Sequence, residues 1–421
     1  MTSSTNNAQD DALTESAIRL PQFRRYWIAR LLGSMAGQMQ AVAVGWQVYD
    51  MTGRALDLGL VGLSLFLPHL CLALVSGQVA DHFDRRRVLS LAIGLDAVCV
   101  LVLLGLTLAG NANPHWVFLV LVFTGAARAF QFPAALALMP NLVPPHLYPN
   151  AAAWSSTAWQ SASIAGPALG GFLYVLGPVM TYGSCVVLLV MSAVFITRVQ
   201  PRTAAPGRGA VSLSSALAGI RFIAEQKLVL GAISLDLFAV LLGGATALLP
   251  IYARDILAVG PSGLGLLRSA PAVGALVSAI IMVHYPIRRN AGRSLLIWVG
   301  VFGLAIVGFG LSESLWLSML LLTVAGGADM VSVVVRRVLV QVATPDAMRG
   351  RVGAIESVFI GASNELGEFR AGVMAALLGA VPAVVIGGIG TLAVVGAWAR
   401  LFPQLRRVDR IESVAVESAA D

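Results

Sequence analysis

Lysine is almost missing from this chain. Of 28 basic residues in 421 positions, Lys227 is the single lysine. A Walker A loop needs a lysine behind a run of glycines to reach phosphates. Lys227 stands in GIRFIAEQKLVL with no such loop before it, which excludes ATP hydrolysis by that route. Charge of either sign is also scarce, at 12% of residues, against about 25% in soluble domains. A water-soluble protein of this length could not cover its surface with so few charges. A soluble enzyme, a nucleic-acid-binding domain and a disordered chain are therefore excluded. Cysteine is rare too. Cys71, Cys99 and Cys185 fall inside apolar runs, so they offer no disulfide framework and are expected as small buried hydrophobes. Each of the five histidines stands alone, and neither a metal site nor any cofactor is expected. The first 18 residues are polar, so no cleavable signal peptide is expected.

What is present is apolar. Hydrophobic residues make up 57% of the chain and the mean hydropathy is +0.82. Twelve apolar runs read as spans, near 26–49, 58–80, 88–110, 115–139, 151–176, 179–198, 228–252, 263–284, 294–312, 315–341, 351–380 and 382–402. A span needs about 20 apolar residues, and an open strand leaves its backbone unsatisfied in lipid. All twelve are therefore expected to be helices. The run at 351–380 holds Glu365 and Glu368 and is expected to be tilted or locally irregular.

Arginine fixes the orientation. Arg19, Arg24 and Arg25, then Arg85 to Arg87, Arg202, Arg208 and Arg221, Arg288, Arg289 and Arg293, Arg349 and Arg351, and Arg406, Arg407 and Arg410 fall on one side. The opposite connections hold Arg54 and Arg254. Cytoplasmic loops are enriched in arginine and lysine, so both termini are expected in the cytoplasm. The organisation expected is a cytoplasmic tail at 1–24, a six-helix bundle at 25–199, a linker with an amphipathic helix at 200–227, a second six-helix bundle at 228–402 and a tail at 403–421. The halves echo each other. His82-Phe-Asp-Arg-Arg-Arg faces His284-Tyr-Pro-Ile-Arg-Arg, and Pro145 matches Pro345. Duplicated bundles of this kind occur in secondary transporters, with the substrate site between the repeats.

Several motifs carry mechanism. Gly77-Gln-Val-Ala-Asp81-His-Phe-Asp84-Arg85-Arg86 ends the second span. A glycine there allows close helix approach. Asp81 can pair with the following arginines or with a helix N-terminus, making a latch of Gly77, Asp81, Arg85 and Arg86 that forms in one conformation and breaks in another. Span five contains Gly166-Pro167-Ala-Leu-Gly170-Gly171, where proline removes a helix hydrogen bond and glycines leave a packing groove.

The first of these strings resembles the loop motif of the major facilitator superfamily, Gly-x-x-x-Asp-x-x-x-Arg-Arg, with Asp84 where glycine is common. The second resembles the superfamily's antiporter motif, found mainly in exporters. Arg128-Ala-Phe-Gln131 resembles a further motif, whose arginine is linked to proton transfer; Phe132 stands where glycine is usual. FRRYWIARLLGSMAGQ, PNLVPPHLYPNAAAW, QVATPDAMRGRVGAIES and FIGASNELGEFRAG are similar to the branch holding the enterobactin exporter and macrolide-efflux proteins. The resemblance covers about residues 20–402. It implies an all-α membrane protein of twelve helices in two pseudo-symmetric six-helix bundles, with spans one, four, seven and ten lining a central cavity. It also implies a proton-coupled exporter of the bacterial inner membrane, moving a siderophore or, alternatively, a drug or macrolide. An importer is a weaker reading, and a membrane-embedded enzyme lacks the His/Asp or Ser/His cluster it would need. The partners expected are a small-molecule substrate, protons and the lipid bilayer, without nucleic acid, and the chain is expected to be a monomer.

Charges inside a membrane are costly and read as functional. Arg128, Asp236 and Asp329 fall inside spans four, seven and ten. Glu365 shares a face of span eleven with Asn364 and Glu368, with Glu356 roughly opposite. Burial raises a carboxylate's proton affinity and a nearby arginine lowers it. A carboxylate whose company changes between conformations can therefore load and release a proton. Arg128, Asp236, Asp329 and Glu365 are the expected coupling set, and Asp96 and Arg268 are expected to be structural. Gln38, Gln40, Trp46, Trp159, Gln160 and Asn364 are the expected lining of an apolar cavity for an amphipathic, partly aromatic solute.

Overall fold

The computed structural model describes residues 16–110, 113–201, 213–287 and 289–409. Twelve long helices run through it. They are α1 (Pro21–Thr52), α2 (Ala55–His82), α3 (Arg85–Leu108), α4 (Pro114–Leu138), α5 (Tyr148–Val175), α6 (Pro178–Thr197), α7 (Lys227–Gly243), α8 (Gly260–His284), α9 (Ala291–Gly310), α10 (Leu315–Val342), α11 (Asp346–Leu378) and α12 (Ala380–Leu401). Among the described residues, nine of these are long and apolar enough by composition to cross a membrane, α7 together with the turns that carry it on to Ile256. The remaining three are α1, α5 and α11. Each spends a face on polar side chains that point inward: Gln40 on α1, Gln160 on α5, and Glu365 and Glu368 on α11. Their weak apolarity marks the interior of the assembly.

Within each half the helices pack as a bundle: α1 on α5 and α6, α2 on α4, and α3 on α4 and α6, then α8 on α10, α9 on α10 and α12, and α7 on α11 and α12. Among the described residues, two helix pairs carry most of the contact between the halves, α5 with α8 and α2 with α11. Shifting each number by six exchanges the pairs, which is the pseudo-symmetry the sequence echo predicts. Prolines mark the echo as well. Pro145 opens a short 3₁₀ turn before α5, and Pro345 is the N-cap of α11.

The amphipathic stretch of the linker forms a helix, Leu213–Glu225, which packs on α11. The linker's first part, 202–212, lies outside the described residues, as do the chain ends at 1–15 and 410–421.

Three expectations need correction. The seventh run is not one continuous helix: α7 ends at Gly243, followed by a 3₁₀ turn at Thr246–Leu248, a helical turn at Leu249–Ile251 and a π-helical turn at Tyr252–Ile256. Glycine is a poor helix former and proline has no N–H to give, and Gly243, Gly244 and Pro250 meet here. The carbonyl of Leu242, freed by the break, accepts a hydrogen bond from the Arg370 guanidinium of α11. By contrast the run holding Glu365 and Glu368 is one unbroken 33-residue helix, without the local irregularity that is one of its two expected forms. Its polar side chains face protein and cavities, so nothing forces it open. Among the cysteines, Cys99 and Cys185 are buried as expected, whereas Cys71 is exposed on α2.

Candidate functional site

The halves meet most tightly at the end carrying the α1–α2 and α7–α8 connections, here called the closed end. Glycine makes the approach possible. A Cβ built on Gly59 of α2 would stand 3.0 Å from the carbonyl of Phe369 and 3.3 Å from Cα of Gly372 on α11. On the other seam, a Cβ on Gly265 of α8 would stand 3.2 Å from the Cα atoms of Ala168 and Gly171 on α5. Polar contacts reinforce the seams. The Tyr49 hydroxyl donates to Asp255, and Arg254 pairs with Asp50 at 3.1 Å and donates to the Tyr49 carbonyl at 3.2 Å. The Arg254 guanidinium also lies 5.6 Å from the centre of the Tyr49 ring, a cation–π distance. Nearer mid-depth, Gln160 donates to the carbonyl of Ala272 at 2.6 Å, and the Ser269 hydroxyl to that of Ile164 at 2.7 Å.

The Gly166-Pro167-Ala-Leu-Gly170-Gly171 string accounts for much of this. Gly166 and Gly170 face α1, where added Cβ atoms would stand 2.6 Å from Cβ of Gln38 and 2.9 Å from Cα of Met39. Gly171 faces α8. One motif thus holds α5 against its own bundle on one side and against the other half on the next. The groove expected from its glycines is there.

Two cavities lie between the halves. The larger, about 300 Å³, is lined by Gln38, Ser163, Arg268, Asp329 and Asn364, and by the broken segment around Gly243 and Gly244. The smaller, about 60 Å³, lies toward the closed end and takes Gln40, Gly62, Arg128, Arg268 and Glu368 into its wall. Discontinuous helices that line a central cavity are a recurrent way of building a solute site, because freed backbone groups face the cavity.

The expected coupling residues do not form one cluster. Arg128 belongs to the first half: it pairs with Asp96 at 3.4 Å and donates to Gln40 at 2.7 Å, and Gln131 donates to the same Asp96 carboxylate at 3.2 Å. Asp236 pairs with Arg336, whose side chain is 1% exposed and whose far side meets Glu356 at 3.5 Å. This Asp236–Arg336–Glu356 chain crosses α7, α10 and α11. Asp329 is on the wall of the large cavity. Glu365 and Glu368 both face Gly62 of α2 across the seam, so the two carboxylates lie at the junction of the halves. Glu356 serves Arg336 on the other face of α11, as the spacing predicts.

The expected lining residues divide as well. Gln38 and Asn364 line the large cavity. Gln40 is committed to Arg128 and lines the small one. Gln160 ties α5 to α8. Trp46 packs in the apolar cluster of the closed end, while Trp159 is 53% exposed. Gln47 is occupied by Tyr182 and Thr107, away from both cavities.

At the α2–α3 turn, Arg86 donates to the carbonyl of Val199 at the end of α6, at 3.2 Å. Asp84, which replaces the usual glycine, accepts from the backbone N–H of Arg86 at 3.0 Å and caps α3. Among the described residues nothing stands within 4 Å of a Cβ built on Gly77. The side chain of Asp81 lies outside the described residues.

Sequence reading missed four participants. Asp50, Arg254 and Asp255 read as loop charges, because only the fold brings two distant connections together. Arg370 carries no motif that announces a carbonyl to be held. Arg268, expected to be structural, lines both cavities. Its position inside a span was the available signal.

The chain matches the model of a family described as transmembrane secretion effector over residues 14–420. It is 26% identical over 393 residues to a protein named enterobactin exporter EntS from Citrobacter koseri, covering 92% of this chain and 93% of that one. Against its namesake from Escherichia coli O81 it is 25% identical over 394 residues, with the same coverage. Solved structures share the fold. The nucleoside transporter NupG superposes with a TM-score of 0.68 at 15% identity, covering 90% of this chain and 99% of that one. A bacterial homologue of the iron transporter ferroportin, in its inward-facing state, gives 0.70 at 17% identity, covering 93% and 100%. The chain belongs to the transmembrane secretion effector family of the major facilitator superfamily: it is a multi-pass membrane transporter of a small molecule and not an enzyme.

Proposed function

We propose that this chain is a proton-coupled exporter that exchanges protons for a small amphipathic molecule, a siderophore first and a drug or macrolide as the alternative. The relatives named as enterobactin exporters support the siderophore reading over most of both chains. The arginine distribution supports both termini in the cytoplasm of a bacterial cell, with the protein in the inner membrane. On that orientation the closed end is the outer one and the conformation is inward-open. The bundles comprise 25–199 and 228–402, joined by the linker at 200–227, between tails at 1–24 and 403–421, and the working unit is a monomer. The solute enters the large cavity from the cytoplasm, the seams α2–α11 and α5–α8 loosen, and the cavity opens outward.

One observation carries the coupling: Asp329 lines the solute cavity and sits on α10, the helix whose Arg336 pairs with Asp236 of α7. A tilt that moves α10 against α7 changes the company of both carboxylates, so proton binding and solute binding alternate. Glu365 and Glu368 are the second site of change, because parting of α2 from α11 exposes them. In the test, purified protein in vesicles is loaded with candidate siderophores and efflux is followed with and without a pH gradient. Efflux that follows the imposed gradient is expected; efflux unchanged after the gradient is collapsed removes proton coupling.

A further inference from the structure

Three arginines inside the bundles have partners at hydrogen-bond distance or in a buried ion pair. Arg128 has Gln40 and Asp96, Arg336 has Asp236, and Arg370 has the Leu242 carbonyl. Arg268 differs. Among the described residues it makes no hydrogen bond and no ion pair, although it stands in the field of Glu365, Glu368 and Arg128. It lines the wall of both cavities, so its guanidinium sits at the partition between them. The two glutamates approach Gly62 of α2, on the side of the small cavity. The large cavity presents Arg268 with polar neutral groups, Gln38, Ser163 and Asn364, and one carboxylate, Asp329.

The two opposite charges of that cavity lie at different depths. α8 and α10 both start at the closed end. Arg268 is eight residues along α8 and Asp329 fourteen along α10. At about 1.5 Å of rise per residue the carboxylate lies about 9 Å farther from the closed end. Of the charged groups lining the large cavity, the guanidinium of Arg268 is therefore at the deep end and the carboxylate of Asp329 on the mid-depth wall. A guanidinium that faces a cavity with no hydrogen-bonded counter-ion can take an anion there, and its planar fork suits carboxylate, sulfonate or a deprotonated catechol.

We infer that Arg268 is the specificity-determining anchor for an acidic group on the transported molecule, which enters the cavity acid-first with its hydrogen-bond donors left beside Asp329. The inference rests on the reading that the large cavity carries the solute, but not on proton coupling.

The test uses two aromatic probes of nearly equal shape, naphthalene-1-sulfonate and the neutral naphthalene-1-sulfonamide, titrated calorimetrically into the full chain in detergent. The acid is expected to bind roughly 10-fold or more tightly than the amide, the factor of one hydrogen bond to a charged group. Arg268→Gln abolishes that preference, Arg268→Lys keeps part of it, and Asp329→Asn keeps or widens it. Wild-type protein supplies a second reading that needs no variant. The arginine reagent phenylglyoxal should modify Arg268, and the sulfonate, but not the sulfonamide, should protect it. Equal affinity for the two probes, a preference that survives Arg268→Gln, or labelling that the acid leaves untouched overturns the anchor. Binding of neither probe overturns the solute role of the cavity along with it.

Discussion

Tyr49, at the end of α1, donates its phenolic hydrogen to Asp255, in the π-helical turn that follows the break in α7. The bond spans the two halves at the closed end, beside the Arg254–Asp50 pair. A hydrogen bond to a charged group contributes about 1.5–3 kcal/mol, which is about a tenfold bias or more in a two-state equilibrium. Tyr49→Phe is expected to populate the form open at this end. A cysteine introduced at Leu58, which is buried here, should then be alkylated several-fold faster in a background lacking the three native cysteines. Unchanged labelling would show that the phenol does not help to hold the closed end.

Gly265→Val is expected to prevent closure at the same end, because the added atoms would meet the backbone of α5. The variant should be made in normal amounts yet transport poorly, with the same increase in labelling at position 58. Normal transport would mean that the α5–α8 seam has slack the geometry does not show.

The Asp236–Arg336 pair can be separated from the solute site by its stability. Removing one partner of a buried pair strands a charge and costs about 3–5 kcal/mol, whereas replacing both with apolar groups is often neutral. Asp236→Asn, which leaves Arg336 with Glu356, is expected to lower the melting temperature in detergent less than Arg336→Met, which strands both carboxylates, and Arg336→Met combined with Asp236→Asn and Glu356→Gln to regain much of the loss. Additive losses would contradict the pairing.

Asp329→Asn is expected to leave the fold intact, as the residue has a cavity on one side, and to flatten the dependence of efflux on the imposed pH gradient. A pH profile identical to that of the unaltered chain would take Asp329 out of the coupling scheme and leave Glu365 and Glu368 to carry it.

Asp84→Ala should cost about 1 kcal/mol through loss of the α3 cap, and Asp84→Asn or Asp84→Ser much less, since both can accept the same hydrogen bond. Thermal unfolding of the three variants checks the order. Equal losses for all three would assign the residue's importance to its charge.

The sequence makes the spans legible because lipid demands long apolar helices, and it makes the bundle duplication legible because the two halves repeat their arginine and proline positions. Close packing of α5 is legible from glycine alone, since Gly166, Gly170 and Gly171 have no other reason to crowd one stretch of helix; that its neighbours are α1 and α8 is not. The site is less legible. That Asp96 neutralises Arg128, and that Arg336 rather than Asp329 meets Asp236, depends on which helices become neighbours, and spacing along one helix does not contain that. The break after Gly243 is hidden for a similar reason. Two glycines and a later proline weaken a helix, but the break is held by the guanidinium of Arg370, which arrives from 128 residues away.

That guanidinium has a mechanical consequence. Arg370 and Gly372 are two positions apart on α11, one gripping the frayed end of α7 and the other lying flush with Gly59 of α2. Any slip along the α2–α11 contact is therefore delivered within a few ångströms to the kinked strut that borders the solute chamber, so the sensor of separation and the shape of the chamber are parts of one rod.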